Sequence, residues 1–358
     1  MSSLHRAFRA VALAALATLL AGCETLAYYT QAVGGQWSLS SSARPIEAVL
    51  EDPATPVDLR ARLRLAHEIR EFASRELALP DDGSYRRYAD LGRPFVVWNL
   101  FVTPEFSTKP VESCFPVTGC VSYRGYFAEA DAKAYAEKMR AQGYDVQVSG
   151  IPAYSTLGWF DDPLLSTFIR YPEAELARLV FHELAHHIVY VKGDTAFNES
   201  FAVAVERAGV RRWLGQRDRG ADLAAFLAAR ERQREFIELI AMAKARLETV
   251  YEMKVSPEQM RAAKRAGFEQ LQKDYAGLKA RWGGFSGYDR IIGASPGNAL
   301  LASISAYSKF VPGFERMLAA EGGDLPRFYA AVKEAAKLPK EARCRLLTEG
   351  MTPSSAAC

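Results

Sequence analysis

The chain has 358 residues, 49% of them hydrophobic and 24% charged, with a formal net charge of +3. That length buries a sizeable core, as one large domain or two coupled ones, and that composition excludes a disordered chain. Arg6 and Arg9 belong to an N-terminal leader; without them the balance is about +1, and no basic block marks a nucleic-acid surface.

The leader sets Arg6 and Arg9 before an apolar stretch, Ala10 to Leu20, that is short for a bilayer span. It ends in Leu20-Ala21-Gly22-Cys23, which resembles the lipobox of bacterial lipoproteins, whose Cys becomes the lipidated first residue. This implies a signal peptide over 1–22 and a lipid anchor on Cys23; an ordinary secretory signal with a chance cysteine is the alternative. Residue 24 is Glu, not Asp, which by resemblance to enterobacterial sorting favours the outer membrane. No later apolar run of spanning length follows, so the mature chain is expected to face the periplasm of a bacterial envelope, held by its lipid.

Residues 23–54 read as a tether, polar and flexible at Ser38 to Ser42. From Val57 to Leu77 the residues Leu59, Leu63, Leu65, Ile69 and Phe72 recur with a helical period, closed by Pro80-Asp81-Asp82-Gly83. A β-rich stretch follows. Strands are expected over Phe95 to Val102, Cys120 to Phe127, Tyr144 to Val148 and Ala153 to Phe160, with a short helix near Ala130 to Gln142. Asp161-Asp162-Pro163 ends the sheet region.

The rest reads as helical. A helix from Glu173 follows Pro172, Lys192-Gly193-Asp194 breaks it, and Phe197 to Leu214 restarts it. A long helix over about Ala221 to Met253 precedes Ser256-Pro257-Glu258-Gln259, a capping box that opens a second long helix to about Trp282. The pair is expected to form an antiparallel hairpin with a solvated charged face. Gly283 to Gly287 then precedes the last helices. The fold class is therefore α+β, mainly α: a small antiparallel sheet region leads into a helical domain with a long hairpin. The unit over 55–358 divides into an α/β part (55–165), a pair of helices (166–220), the hairpin (221–282) and C-terminal helices (283–358).

Besides Cys23 the chain carries Cys114, Cys120, Cys344 and Cys358. An oxidising compartment permits disulfides. Cys114 and Cys120 bracket a turn-like segment whose ends can meet as a hairpin, so they are the expected pair; Cys344 with Cys358 is a looser pairing. Neither has the C-x-x-C spacing of a zinc ribbon or redox site.

The chemistry sits in Phe181-His182-Glu183-Leu184-Ala185-His186-His187, which spells H-E-x-x-H. Four residues apart on a helix, His182 and His186 leave one face a turn apart and can share a tetrahedral zinc ion, with Glu183 beside them as general base. His187 lies about 100° round the helix and is read as a packed or supporting histidine; His67, on the early helix, is read as structural. A catalytic site needs a third protein ligand. Glu199 stands in Asn198-Glu199-Ser200-Phe201-Ala202, at the start of a helix that can fold back on the first. Glu206, two turns on, is placed to accept a hydrogen bond from a ligand histidine's free N–H, a part that Asp194 can also play.

His182-Glu183-Leu184-Ala185-His186 with Asn198-Glu199-Ser200-Phe201-Ala202 resembles the gluzincin metallopeptidases, whose zinc is held by two His and a downstream Glu. In that group the third ligand usually follows the second His by about twenty residues. Glu206 has that spacing and Glu199 the surrounding motif, so the two compete, with Glu199 favoured. A closer resemblance covers most of the mature chain. Cys114 to Cys120, Tyr123 to Phe127, Ala153 to Pro163 and Gly193 to Glu199 are similar to a zinc aminopeptidase family of proteobacterial lipoproteins. The resemblance implies one zinc ion, a peptide substrate and hydrolysis by zinc-activated water. It also implies an oxyanion-stabilising Tyr, for which Tyr307, Tyr288 and Tyr154 are candidates, Tyr307 standing first. Related folds place a substrate-pairing edge strand before the zinc helix, which implicates Tyr154 and Ser155; Arg124, with Tyr123, is a candidate to address a peptide terminus. A binding or scaffold lipoprotein, and a zinc hydrolase of a non-peptide amide or ester, are the alternative functions.

Overall fold

The computed structural model describes residues 28–349 apart from 116–118, 154, 157, 294–295 and 306–309. Residues 28–42 form helix α1. β1 (Arg44–Pro45) and α2 (Ile46–Glu51) lead to α3 (Val57–Leu77). From residue 28 the expected tether is thus folded. Leu39, Ala43, Ile46 and Val49 are buried in the main core, which holds this polar-looking stretch in place.

β2 (Arg87–Ala89), β3 (Val97–Thr103), the hairpin of β4 (Ser113–Phe115) and β5 (Gly119–Val121), and β6 (Arg124–Tyr126) follow. Then come α4 (Glu129–Ala141), β7 (Asp145–Ile151) and β8 (Leu164–Leu165). β3 is the centre of an antiparallel sheet in the order β6-β3-β7, with Trp98 opposite Tyr126 and Gly150. Its seven residues are all buried, covered by α4 on one face and by neighbouring helices on the other. A smaller sheet, β1-β2-β8, pairs β2 with β8 in parallel. The single strand expected over Cys120 to Phe127 is split at Ser122-Tyr123. β5 pairs with β4, and β6 with β3.

The described residues of the stretch from Ala153 to Phe160 form no strand. Asp162 gathers this segment into a turn instead, accepting from Thr156 N–H at 2.8 Å, Thr156 Oγ1 at 2.9 Å and Ser155 Oγ at 3.3 Å. The bond from Thr156 N–H ties up a backbone donor that a ladder would otherwise have used.

The helical region comprises α5 (Glu173–Ala185), α6 (Thr195–Gln216), α7 (Gly220–Tyr251), α8 (Pro257–Arg281), α9 (Asp289–Gly293), α10 (Asn298–Ser305), α11 (Val311–Ala320), α12 (Leu325–Ala336) and α13 (Lys340–Thr348). The architecture is α+β and mainly α. Helices α3, α5, α6, α11 and α12 share the main core, which is rich in aromatic contacts such as Phe201 with Phe314 at 5.8 Å. α7 and α8 form the hairpin. Ser256 opens α8 with a reciprocal cap, accepting from Gln259 N–H at 3.3 Å while Gln259 Oε1 accepts from Ser256 N–H at 3.0 Å. The hairpin core of Phe236, Ile240, Leu247, Leu271 and Tyr275 continues into α10 through Leu301. No helix among the described residues is long and apolar enough to cross a membrane.

Candidate metal centre

Helix α5 begins behind Pro172 with Glu173 and Glu175 in its first turn, where the helix dipole favours negative charge. Leu176, Ala177, Leu179, Val180, Phe181, Leu184 and Ala185 are buried, so most of its circumference is core. His182 shares the strip that remains with Glu175 and Arg178, and Glu183 is partly buried beside it. The helix ends at Ala185, yet His186 keeps right-handed helical angles, φ −61° and ψ −22°, and stays one turn beyond His182.

The following loop turns the chain back. Gly193 adopts φ +76°, which favours glycine, and Asp194 caps α6 by accepting from Phe197 N–H at 3.2 Å. Asn198 binds both backbone groups of Val191, accepting from its N–H at 2.8 Å and donating to its carbonyl at 2.9 Å. This tie clamps the loop to the first turn of α6 and delivers the next residue, Glu199, to the imidazoles. Further along α6, Gly209 allows close approach of α5 and α3. A Cβ there would sit 2.6 Å from Phe181 Cδ2 and 2.8 Å from Leu77 Cδ1.

Three donor groups converge as a result. His182 Nε2 lies 3.3 Å from His186 Nε2 and 3.3 Å from Glu199 Oε2, and His186 Nε2 lies 3.8 Å from Glu199 Oε1. Donors that each bind one tetrahedral ion at about 2.0–2.1 Å are separated by about 3.3–3.4 Å. The spacing around His182 therefore matches an edge of such a coordination shell. Glu206 Oε2 takes the other side of His182, 2.8 Å from Nδ1, an acceptor for Nδ1–H that would leave Nε2 to face a bound ion. A second potential cluster among the described residues, Glu112 with Cys114 and Cys120, does not fit a metal. Its two sulfurs are joined in a disulfide, which leaves one carboxylate and no thiolate.

The electrostatics follow from burial and pairing. Burial pushes the Glu183 carboxyl up to about 7, with Glu199 and Asp162 adding to the rise against the opposing pull of His182. Burial disfavours the charged form of His182, but hydrogen bonds to Glu199 and Glu206 outweigh it and bring the group to about 10. His186 is lowered to about 4, burial being the chief cause. Against the cost of burial, Arg178 and His182 hold Glu206 down at about 2.

The chain matches the family model described as "Putative aminopeptidase" over residues 27–347. It belongs to that aminopeptidase family. No curated protein and no solved structure matches it.

The remaining expected site residues divide around this aminopeptidase-family centre. Asp194 does not support a ligand histidine: besides its capping bond it pairs with buried Arg343, 2.7 Å from its Nη2. His187 points elsewhere, its Nδ1 2.9 Å from Asp82 Oδ2 and its Nε2 3.3 Å from Ser155 Oγ. Ser155 is thereby tied to the end of the histidine helix by a side chain and not by strand pairing. Arg124 lies among aromatic rings. Its guanidinium lies 4.1 Å from the ring centre of Tyr28 and 4.8 Å from that of Tyr135, boxed between α1 and α4. Tyr288 stacks on Phe236 at 4.0 Å within the hairpin core. Tyr154, Tyr307, Cys358 and the leader with Cys23 lie outside the described residues. Cys344 is in a disulfide whose other half also lies outside them.

Two tyrosines that sequence reading did not place at the centre stand near it. Tyr85 is buried with its hydroxyl unpartnered; burial raises its pKa strongly, and Glu183 and Asp162 are the leading charges acting on it. Its backbone sits at φ +63°, held by an N–H bond to the Asp162 carbonyl at 2.6 Å. Tyr123, at the break between β5 and β6, is raised by burial and then by Glu199, with Glu183 further down. No local pattern marks either, because each is brought in by an irregular turn remote in sequence from the histidines.

Proposed function

We propose that this protein is a zinc-dependent peptidase, acting as an aminopeptidase on peptides in the bacterial envelope and held there by a lipid on Cys23. One observation supports this reading above the others: His182, His186 and Glu199 converge at coordination distance, with the Glu183 carboxyl raised to about 7 in the same site. His182, His186 and Glu199 would hold the ion, and Glu206 would fix the His182 tautomer. A bound zinc ion supplies Lewis-acid polarisation of the scissile carbonyl and activation of water. Glu183 accepts the proton of the attacking water and returns it to the leaving amine, work suited to a group whose pKa lies near the operating pH. Tyr123 and Tyr85 are described phenols on which the charges of Glu183 and Glu199 or Asp162 act, each held neutral and so able to donate a hydrogen bond to developing negative charge.

The test is metal analysis of full-length protein purified in detergent, followed by digestion of a mixed peptide library. The expected result is about one zinc per chain and progressive loss of N-terminal residues. Protein that neither carries zinc nor takes it up would overturn the reading in favour of a non-catalytic envelope lipoprotein. Cleavage at internal bonds would retain the peptidase and remove the aminopeptidase assignment.

A further inference from the structure

Glu206 does not meet His182 alone. The same oxygen, Oε2, lies 2.8 Å from His182 Nδ1 and 3.0 Å from Arg178 Nη1. Arg178 precedes His182 by four residues on α5, so both leave the same face of the helix and Glu206, from α6, is wedged between them. The Arg178 fork continues outward, its Nε 2.7 Å from Glu175 Oε2. The other oxygen of Glu175, Oε1, takes Arg230 Nη2 of α7 at 2.8 Å. Charges thus alternate from the hairpin to the imidazole: Arg230, Glu175, Arg178, Glu206, His182.

We propose that Arg178 is a positioning residue of the metal centre: by clamping Glu206 against His182 it fixes the ligand imidazole, and through Glu175 and Arg230 it ties that ligand to the helical hairpin. The Glu206 side chain is only 3% exposed, so little solvent competes for its oxygens. Arg178 and His182 together leave its carboxylate one rotational setting. Without the guanidinium the carboxylate can turn, His182 Nδ1–H loses its fixed acceptor, and the tautomer that offers Nε2 to an ion is no longer enforced. A planar guanidinium bridges two carboxylates in a way that an ammonium does not, so lysine is a partial substitute only. The inference rests on the metal-binding part of the function proposed above and needs no knowledge of the substrate.

The experiment uses full-length protein in detergent, stripped of metal and titrated with Zn²⁺ against a competing chelator. The visible spectrum with Co²⁺ reports ligand geometry, and thermal melts of the stripped proteins report folding. Arg178→Met is expected to weaken zinc binding about 10–100-fold and to alter the cobalt bands, Arg178→Lys less, and Arg230→Met by a few-fold. If Arg178 acts through Glu206, then Arg178→Met placed on Glu206→Gln adds no further loss. Wild-type affinity in Arg178→Met, or losses that simply add in the double variant, would overturn the proposal while leaving the metal site standing. A wild-type protein that binds no zinc overturns both. Should Arg178→Met fail to fold, Arg178→Lys and Arg230→Met carry the same comparison, and unchanged affinity in both rejects the clamp.

Discussion

Glu199 and Glu206, seven residues apart on α6, address opposite nitrogens of one imidazole: Glu199 lies 3.3 Å from Nε2 of His182, and Glu206 2.8 Å from Nδ1. This arrangement is the ground on which we propose Glu199, and not Glu206, as the third ligand. Glu199 shares a side with His186, whereas Glu206 sits behind the ring with Arg178. Glu199→Ala is expected to lose zinc outright, and Glu206→Ala to keep it with about 10–100-fold weaker affinity. Chelator competition on the two variants checks this; equal losses would return the ligand assignment to an open question.

Glu183 is assigned to proton transfer and not to coordination. Glu183→Gln preserves the side chain's shape and is expected to bind zinc as the wild type does while losing about 10²–10⁴-fold in turnover. Metal content and peptide hydrolysis measured on the same preparation separate the two effects.

The raised carboxyl has a cost in metal-free protein. Glu183 binds its proton more tightly when folded than when unfolded, so its contribution is favourable at low pH and is lost as pH rises from about 4.5 through 7. The loss amounts to at most about 3 kcal/mol, and to less in proportion to the solvent that still reaches this half-buried side chain. Melting curves of stripped wild type and Glu183→Gln should converge near pH 4.5 and separate by pH 8, with the variant the more stable. Parallel curves would refute this.

Gly209 permits the contact that packs α6 against the histidine helix. Gly209→Ala forces a methyl group against Phe181 and Leu77, an overpacking expected to cost about 1–3 kcal/mol. Because Phe181 adjoins His182, zinc affinity should fall along with the melting temperature. Denaturant unfolding and metal titration of this variant test the linkage.

Arg343 and Asp194 form a buried pair, their side chains 9% and 5% exposed. Arg343→Met strands the carboxylate that caps α6 and is expected to destabilise the fold by about 3–5 kcal/mol. The double change with Asp194→Asn should recover part of that loss, a difference readable by denaturant titration.

Much of this architecture was legible from local pattern. The apolar period of α3 marks its span from Val57 to Leu77, and the Ser256 to Gln259 capping box marks the start of α8, because both signals act within a few residues. The four-residue spacing of His182 and His186 likewise reports one helix face. What was missed depends on partners far along the chain. The serines of residues 38–42 read as flexible, since nothing local shows that Leu39 inserts into the main core. Ala153 to Phe160 reads as a strand until Asp162 claims Ser155 and Thr156. Tyr85 reaches the centre through a left-handed turn organised by Arg70, whose buried guanidinium donates to the carbonyls of Ser84 and Pro80 at 2.8 Å each. No periodicity encodes such a turn.

Helix α7 is 32 residues long, about 48 Å from end to end. Arg230 pins it to the histidine helix, and its partner α8 is bolted to the sheet by Lys264 on Asp145 and Arg261 on Glu105, both 2.7 Å. The pair is a truss across the molecule, footed on both sides. Sheet and histidine helix are consequently joined by a pair of helices as well as by the chain that runs between them, so a change at either is felt through the hairpin's ion pairs.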